Sequence, residues 1–311
     1  MNAAPALEVN GLSIKFGDFT AVDDVTFSVA RGEIFGFLGA NGAGKTTTIR
    51  MLTGLLVPGS GSARVGGLGF EDGGRGIKKI VGYMSQKFTL YNDMTVGENL
   101  DFAAGLRKLE PGYAKRRRTE LFDLIGFSRP LSTMVSSLPG GTKQELALGA
   151  AMLHDPEIIF LDEPTAGVAP ASRARFWALI RKIAAAGKTV IVTTHYMDEA
   201  ENCGRIALMR TGRLIALGTP AELKASAFPG PMSEIDFKGA APKAYIKELE
   251  AAPGLLELSP HGMRWHAAFK DRASMDAALA RLPAGASAAL IKPSLEDVFI
   301  RLVEGTSVVS Q

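Results

Sequence analysis

The run Gly39-Ala40-Asn41-Gly42-Ala43-Gly44-Lys45-Thr46 constrains the fold of this chain more than any other stretch. Its spacing, Gly, four residues, then Gly-Lys-Thr, lets successive backbone N–H groups turn inward around a polyphosphate. Residues 32–38 (GEIFGFL) read as a buried strand, and residues 45–56 as a helix closed by Pro58-Gly59. Strand, glycine loop and helix N-terminus in that order make an anion cradle, because the first helical turn adds partial positive charge. Lys45 is spaced to reach the β- and γ-phosphates and Thr46 to ligate Mg²⁺. A chain with this element binds a nucleotide.

Other apolar runs end on chemistry-bearing residues. Residues 80–84 deliver Ser85-Gln86, residues 157–161 deliver Asp162-Glu163-Pro164, and residues 188–194 deliver His195. A further run, 205–209, leads into a hairpin turn at Thr211-Gly212. Strands alternating with helices from 32 to 209 predict a mainly parallel α/β sheet. Ligands of such sheets sit at the carboxyl ends of the strands, where the glycine loop, Asp162-Glu163 and His195 converge. Upstream, residues 7–16 and 21–29 alternate as half-buried strands around a Gly17-Asp18 turn. Phe16, just before that turn, is either a packing aromatic or a platform for an adenine ring. Residues 58–76 read as glycine-rich loops around short strands, and residues 95–106 as a helix. The basic run Lys115-Arg116-Arg117-Arg118 reads as a solvated helix face, with a membrane-headgroup contact as the alternative.

Composition narrows the class. The chain has 311 residues, 46% hydrophobic and 22% charged, as an ordinary globular protein does. A net charge of +3 gives no footprint for nucleic acid. The single cysteine, Cys203, excludes an intramolecular disulfide framework and fits a reducing compartment. No signal-peptide pattern opens the sequence and no apolar run suffices for a membrane span, so a cytoplasmic, soluble chain is expected. Near residues 226–231 the composition shifts. The remainder reads as strand 233–238, helix 242–252, hairpin 255–259 and 263–269, helix 272–282, strand 288–292 and helix 295–304. This βαββαβ order with a last helix predicts a small ferredoxin-like α+β domain. His261 and His266 lie there without ligand-spaced partners and read as structural.

From residue 7 to about 224, the combination of glycine loop, Gln86, LPGGTKQ, LDEPTAG and TTH resembles the nucleotide-binding subunit of an ATP-binding cassette (ABC) transporter. The tail Pro293-Ser294-Leu295-Glu296-Asp297-Val298-Phe299 resembles that of ABC-2 type exporter ATPases, which serve drugs, lipids or polysaccharides. The resemblance implies an α/β P-loop NTPase of ABC type over 1–225, with an antiparallel β subdomain and a helical subdomain at about 87–155, and an accessory domain over 226–311. The implied cofactors are ATP and Mg²⁺. Gly39, Asn41, Gly42, Ala43, Gly44, Lys45, Thr46 and Thr47 would cradle the phosphates and Phe16 would stack on the adenine. Thr46, Gln86 and Asp162 would attend the metal, and Glu163, with Lys45, Gln86 and His195, would carry the hydrolysis.

In this family two subunits sandwich two nucleotides, each site pairing one subunit's phosphate loop with the other's signature segment. That segment is expected at Pro139, Gly140 and Gly141, with Pro139 replacing the usual serine and so supplying neither hydroxyl nor N–H. Ala169 replaces an aspartate that links the two sites, and Glu145 stands where a basic residue is usual. The implied partners are a transmembrane permease at the cytoplasmic face, docked near Phe88, Leu90 and Tyr91, and a second ATPase copy, as homodimer or heterodimer. Two other readings remain: a soluble non-transport ABC ATPase and a nucleotide-binding regulatory subunit.

Overall fold

The computed structural model describes residues 4–86 and 90–304. They divide into two compact units, Met1–Leu217 and Gly218–Gln311. In chain order the first contains β1 (Leu7–Phe16), β2 (Phe19–Val29), β3 (Ile34–Leu38), α1 (Lys45–Leu52), β4 (Ser60–Val65), α2 (Arg75–Ile80) and β5 (Val81–Met84). Next come α3 (Val96–Leu106), α4 (Pro111–Ile125), α5 (Gly140–Ala151), β6 (Ile158–Asp162) and α6 (Pro170–Ala185). β7 (Thr189–Thr194), α7 (Met197–Ala200), β8 (Arg205–Arg210) and β9 (Arg213–Gly218) complete it.

The main sheet has the order β5-β6-β7-β3-β8-β9, with β5, β6, β7, β3 and β8 parallel. Every residue of β6 and β7 is buried, which explains the apolar runs 158–161 and 190–192, and their buried polar residues Asp162, Thr193 and Thr194 are hydrogen-bonded. The second sheet, β2-β1-β4, is antiparallel and packs its apolar alternate positions toward the first. Between them lies one core in which Phe27, Phe35 and Phe37 meet at ring-centroid distances of 5.2–5.3 Å. Ile49, Met51 and Leu52 bring α1 into the same core, so the helix that opens at the glycine loop is anchored by burial.

Two local features differ from the sequence reading. The helix after the glycine loop ends at Leu52, not residue 56, because Gly54 turns left-handed (φ 72°) and packs its backbone on Gly74. A Cβ on Gly54 would lie 2.8 Å from the Gly74 carbonyl oxygen. Within the expected loop region, α2 forms because the Asp72 carboxylate accepts the N–H groups of Arg75 (2.9 Å) and Gly76 (2.6 Å).

Helices α3, α4 and α5 form a separate layer over Val96, Leu100, Val135, Leu138 and Leu146. Thr95 and Glu98 form a capping box on α3, and Glu110 caps α4 ahead of Pro111. On the basic run of α4, Arg117 reaches Asp155 (3.1 Å) and Arg118 reaches Asp101 (3.3 Å). Two of its charges are therefore spent inside the protein.

The second unit comprises α8 (Pro220–Ala227), β10 (Met232–Asp236), α9 (Lys243–Glu250), β11 (Leu255–His261), β12 (Arg264–Phe269), α10 (Arg272–Leu279), β13 (Ser287–Ile291) and α11 (Leu295–Glu304). Its antiparallel sheet runs β11-β12-β10-β13. That order is the ferredoxin-like βαββαβ arrangement expected from the sequence. α9 and α10 cover one face through Tyr245, Leu249 and Met275 packed on Ile235, Ala267 and Phe269. No described helix of the chain is long and apolar enough to cross a membrane.

Candidate nucleotide site

β3 hands the chain from Leu38 to the glycine loop, and α1 starts immediately after it at Lys45. Gly44 is the hinge. Its φ of 103° and the 2.7 Å approach of the Ala21 carbonyl oxygen to any Cβ there admit only glycine. The first-turn N–H groups of α1 have no intrahelical acceptors and so remain available for an anion. Lys45 Nζ donates to the carbonyl oxygens of Gly39 (2.8 Å) and Ala40 (3.1 Å), and lies 3.8 Å from Glu163 Oε1. Burial pushes the Lys45 ammonium below its ordinary range, while Glu163 and Asp162 pull it back.

The acidic pair is set by strand register. Asp162, the last residue of β6, lies opposite Thr193 of β7. Its carboxylate is 2% exposed and accepts from Thr193 Oγ1 (2.7 Å), Thr46 Oγ1 (3.1 Å) and Tyr83 OH (3.5 Å). Burial and then the Asp162 charge push the Tyr83 phenol up to about 12, so Tyr83 stays a donor. Glu163 leaves the strand in a left-handed conformation (φ 48°). Its N–H donates to Thr193 Oγ1 (2.9 Å) and to the Thr193 carbonyl (3.2 Å), and these bonds secure the uncommon backbone. The side chain then meets Gln86, whose Nε2 donates to Glu163 Oε2 at 2.8 Å. His195 Nδ1 lies 3.3 Å from the same oxygen, off hydrogen-bond geometry.

A cavity of about 380 Å³ opens over this floor, lined by Asn41, Gly42, Ala43, Gly44, Lys45, Thr46, Thr47, Gln86 and Glu163. The sequence-selected residues gather here except for Gly39, whose carbonyl accepts from Lys45, and three further sets. Phe16 is half exposed and sits across the β1–β2 hairpin from Phe19, and Phe19 is the aromatic on the cavity wall. Pro139, Gly140 and Gly141 form the start of α5 and are not among the lining residues. Asp162 and His195 are also off the lining, and they contact the lining residues Thr46 (3.1 Å) and Glu163 (3.3 Å) respectively.

Two of the unusual residues sit at equivalent places. Pro139 is the N-cap of α5 and Ala169 the N-cap of α6, and neither offers a side-chain cap. Glu145 is matched by Arg175 of α6 at 3.4 Å. The sequence reading had no role for Thr193, Tyr83 or Glu199. Glu199 is 2% exposed and accepts from Thr165 Oγ1 (2.6 Å) and Thr194 Oγ1 (2.9 Å), with Arg173 Nε at 3.4 Å. It ties the segment after Glu163 to the strand end before His195. Its only signal was a glutamate four residues after that histidine.

A parallel sheet with a glycine loop, a buried lysine and a strand-end acid pair at one edge defines a nucleotide-binding P-loop protein. The family model described as ABC transporter matches residues 22–166, and the chain belongs to the ABC transporter family of ATP-binding proteins. It is similar to the probable multidrug ABC transporter ATP-binding protein YbhF of Escherichia coli (strain K12), with 48% identity over 219 residues. That match covers 70% of this chain, which spans only 38% of that protein's length. It is 36% identical over 306 residues to the Nod factor export ATP-binding protein I of Paraburkholderia xenovorans (strain LB400), covering 96% of each. Among solved structures, one described as the ATP binding subunit of an ABC transporter aligns with TM-score 0.63 and 30% identity, over 71% of this chain and 92% of that one.

Proposed function

We propose that the chain hydrolyses ATP as the energy-supplying subunit of an exporter, at the cytoplasmic face of the membrane, coupled to a separate permease. The observation that carries this reading is Glu163, a carboxylate held by Gln86 and flanked by Lys45 and His195 on the edge of the phosphate cavity. The names of the relatives, one for multidrug transport and one for Nod factor export, support export as the direction.

The residues fit the nucleotide and its metal. Thr46 Oγ1, on the cavity lining, is 3.1 Å from Oδ1 of the buried Asp162 carboxylate. Thr46 and Asp162, with Gln86, would hold Mg²⁺, which when bound neutralises phosphate charge. Lys45 and the N–H groups of residues 42–47 bind and orient the β- and γ-phosphates. Glu163 positions the attacking water and takes its proton, Gln86 fixes the Glu163 carboxylate, and His195 approaches the γ-phosphate. Phe16 or Phe19 supplies the ring against the base.

A groove of about 240 Å³ between α3 and α5 is lined by Tyr91, Phe102 and Leu106, all substantially exposed. Tyr91 and Phe102 meet edge to face at 5.1 Å. Their apolar surface suits a permease's cytoplasmic helix. Leu90 instead packs against the helical core, and Phe88 lies outside the described residues. Assembly is with a second ATPase copy, because Pro139, Gly140 and Gly141 lie off this chain's own cavity. A partner with an intact signature would leave one fully equipped site. The test is ATPase rate against protein concentration, with Glu163→Gln as control. A rate rising faster than linearly and lost in the control supports the reading; a linear rate unchanged by the substitution removes it.

A further inference from the structure

We propose that His261, His266 and Asp297 form a binding site for a divalent transition-metal ion of the zinc class, remote in kind from the magnesium site of the nucleotide. One donor atom from each residue lies within 4.8 Å of the others. β11 and β12 bring the two imidazoles together across their hairpin, with ring centroids 4.2 Å apart. Asp297 arrives from the first turn of α11, and His266 and Asp297 are both buried.

The carboxylate is held ready. Asp297 Oδ2 accepts from Ser294 N (2.7 Å) and Ser294 Oγ (2.6 Å), while Oδ1 lies 2.6 Å from His266 Nδ1. Each imidazole also has its Nε2 beside a carboxylate of its own. His266 Nε2 is 3.6 Å from Glu234 Oε2, and His261 Nε2 is 3.5 Å from Glu296 Oε2. In the metal-free chain the proton of His266 lies on Nδ1, facing Asp297 Oδ1. With the ion bound, Glu234 and Glu296 would hold each ring's proton on Nε2 and leave Nδ1 as the ligand atom, alongside Asp297 Oδ1. Two imidazoles and one carboxylate favour zinc, nickel, cobalt or copper over magnesium or calcium, which prefer oxygen alone.

Loading requires small adjustments. Adjacent ligand atoms on a tetrahedral zinc are about 3.3 Å apart, given bonds of about 2.0–2.1 Å. The ion therefore takes the proton's place between His266 and Asp297 and widens that gap, and the proton passes by way of solvent to Nε2, so the ring stays a neutral imidazole. The rings are stacked at 6° to each other, so their lone pairs converge only when one turns. His261 is that ring. It is a third exposed and precedes the Gly262 turn, whereas His266 is fixed by Asp297.

Equilibrium dialysis of the full chain against Zn²⁺ alone, with retained metal counted, tests the site. One ion per chain is expected, lost in His261→Ala and in Asp297→Asn, while ATP binding persists in both. His261→Ala removes a partly exposed side chain and so preserves folding even where Asp297→Asn does not. Glu234→Gln, which alters the group beside the ring's far nitrogen and not a ligand, is expected to weaken binding on the order of 10–100-fold. Failure of the unaltered chain to retain Zn²⁺, or equal retention by His261→Ala, overturns the proposal.

Discussion

The Thr193 hydroxyl donates to Asp162 Oδ1 at 2.7 Å across two neighbouring strands. Thr193 Oγ1 in turn accepts the N–H of Glu163 at 2.9 Å, so one hydroxyl orients both acidic residues. Thr193→Val keeps the shape and removes this link, leaving Asp162 one donor fewer in a buried setting. Loss of a buried partner costs about 1–3 kcal/mol. Thermal unfolding is expected to register that loss, and kcat to fall on the order of tenfold per 1.4 kcal/mol withdrawn from the transition state. An unaltered kcat would show that backbone register alone positions Glu163.

Lys45→Ala is expected to abolish ATP binding, and Glu163→Gln to keep binding while ending turnover. Titration with a fluorescent ATP analogue separates the two. Among the described residues that line the cavity only Lys45 is a cation, so retained affinity in Lys45→Ala would remove the phosphate-loop assignment.

Pro139→Ser and Ala169→Asp each place a capping side chain on a helix that has none. Each is expected to stabilise the chain by about 1 kcal/mol, read as a higher Tm. Turnover gives a separate answer. A rise in ATPase rate with either substitution would show that the unusual signature limits the homodimer, and a rise in Tm alone would show that it is tolerated.

Burial, then the charge of Arg107, pushes His154 from 6.5 down to about 4, while its Nε2 faces the Val81 carbonyl at 3.0 Å. The folded chain therefore disfavours the proton that the unfolded chain accepts. Stability is expected to be full above pH 6.5 and to decline as pH falls toward 4, with a slope approaching about 1.4 kcal/mol per pH unit. His154→Gln should flatten Tm against pH across that window.

Asp297 behaves in the opposite chemical sense but loses stability in the same direction. Burial raises its carboxyl, yet hydrogen bonds from Ser294 and His266 outweigh that and hold it below the usual 3.8. Its contribution is present above the unfolded value and lost as pH falls below it. In metal-free protein, Asp297→Asn should lower Tm at neutral pH and leave less to lose in acid.

The fold was legible wherever burial wrote itself into unbroken apolar runs. β6 and β7 announce both their strands and the residues at their ends, because a strand covered on two faces favours apolar residues along its length. The ferredoxin-like order was legible for a different reason, the change of periodicity from element to element. Helix α2 was not, because its stability comes from the Asp72 cap and not from an apolar stripe. The early end of α1 depends on Gly54 meeting Gly74, a contact between distant turns. Within the site, the glycine loop and acid pair were plain, whereas Phe19 reaches the cavity through the hairpin's geometry. Glu199 looks like any helical glutamate until Thr165, Thr194 and Arg173 close around it. His261 and His266 read as structural because their third neighbour, Asp297, comes from another helix.

β3 carries the phosphate loop, yet its sheet neighbours are β7 and β8, both encoded far downstream. During synthesis the loop and α1 leave the ribosome long before any strand exists to pair with β3. Its parallel hydrogen bonds wait for residues 189–210, and the acid pair waits for Thr193. A nascent chain stalled before β7 thus carries the complete glycine motif on a strand that lacks both of its sheet neighbours. Nucleotide capture becomes a late event of biosynthesis, reporting that the sheet has closed.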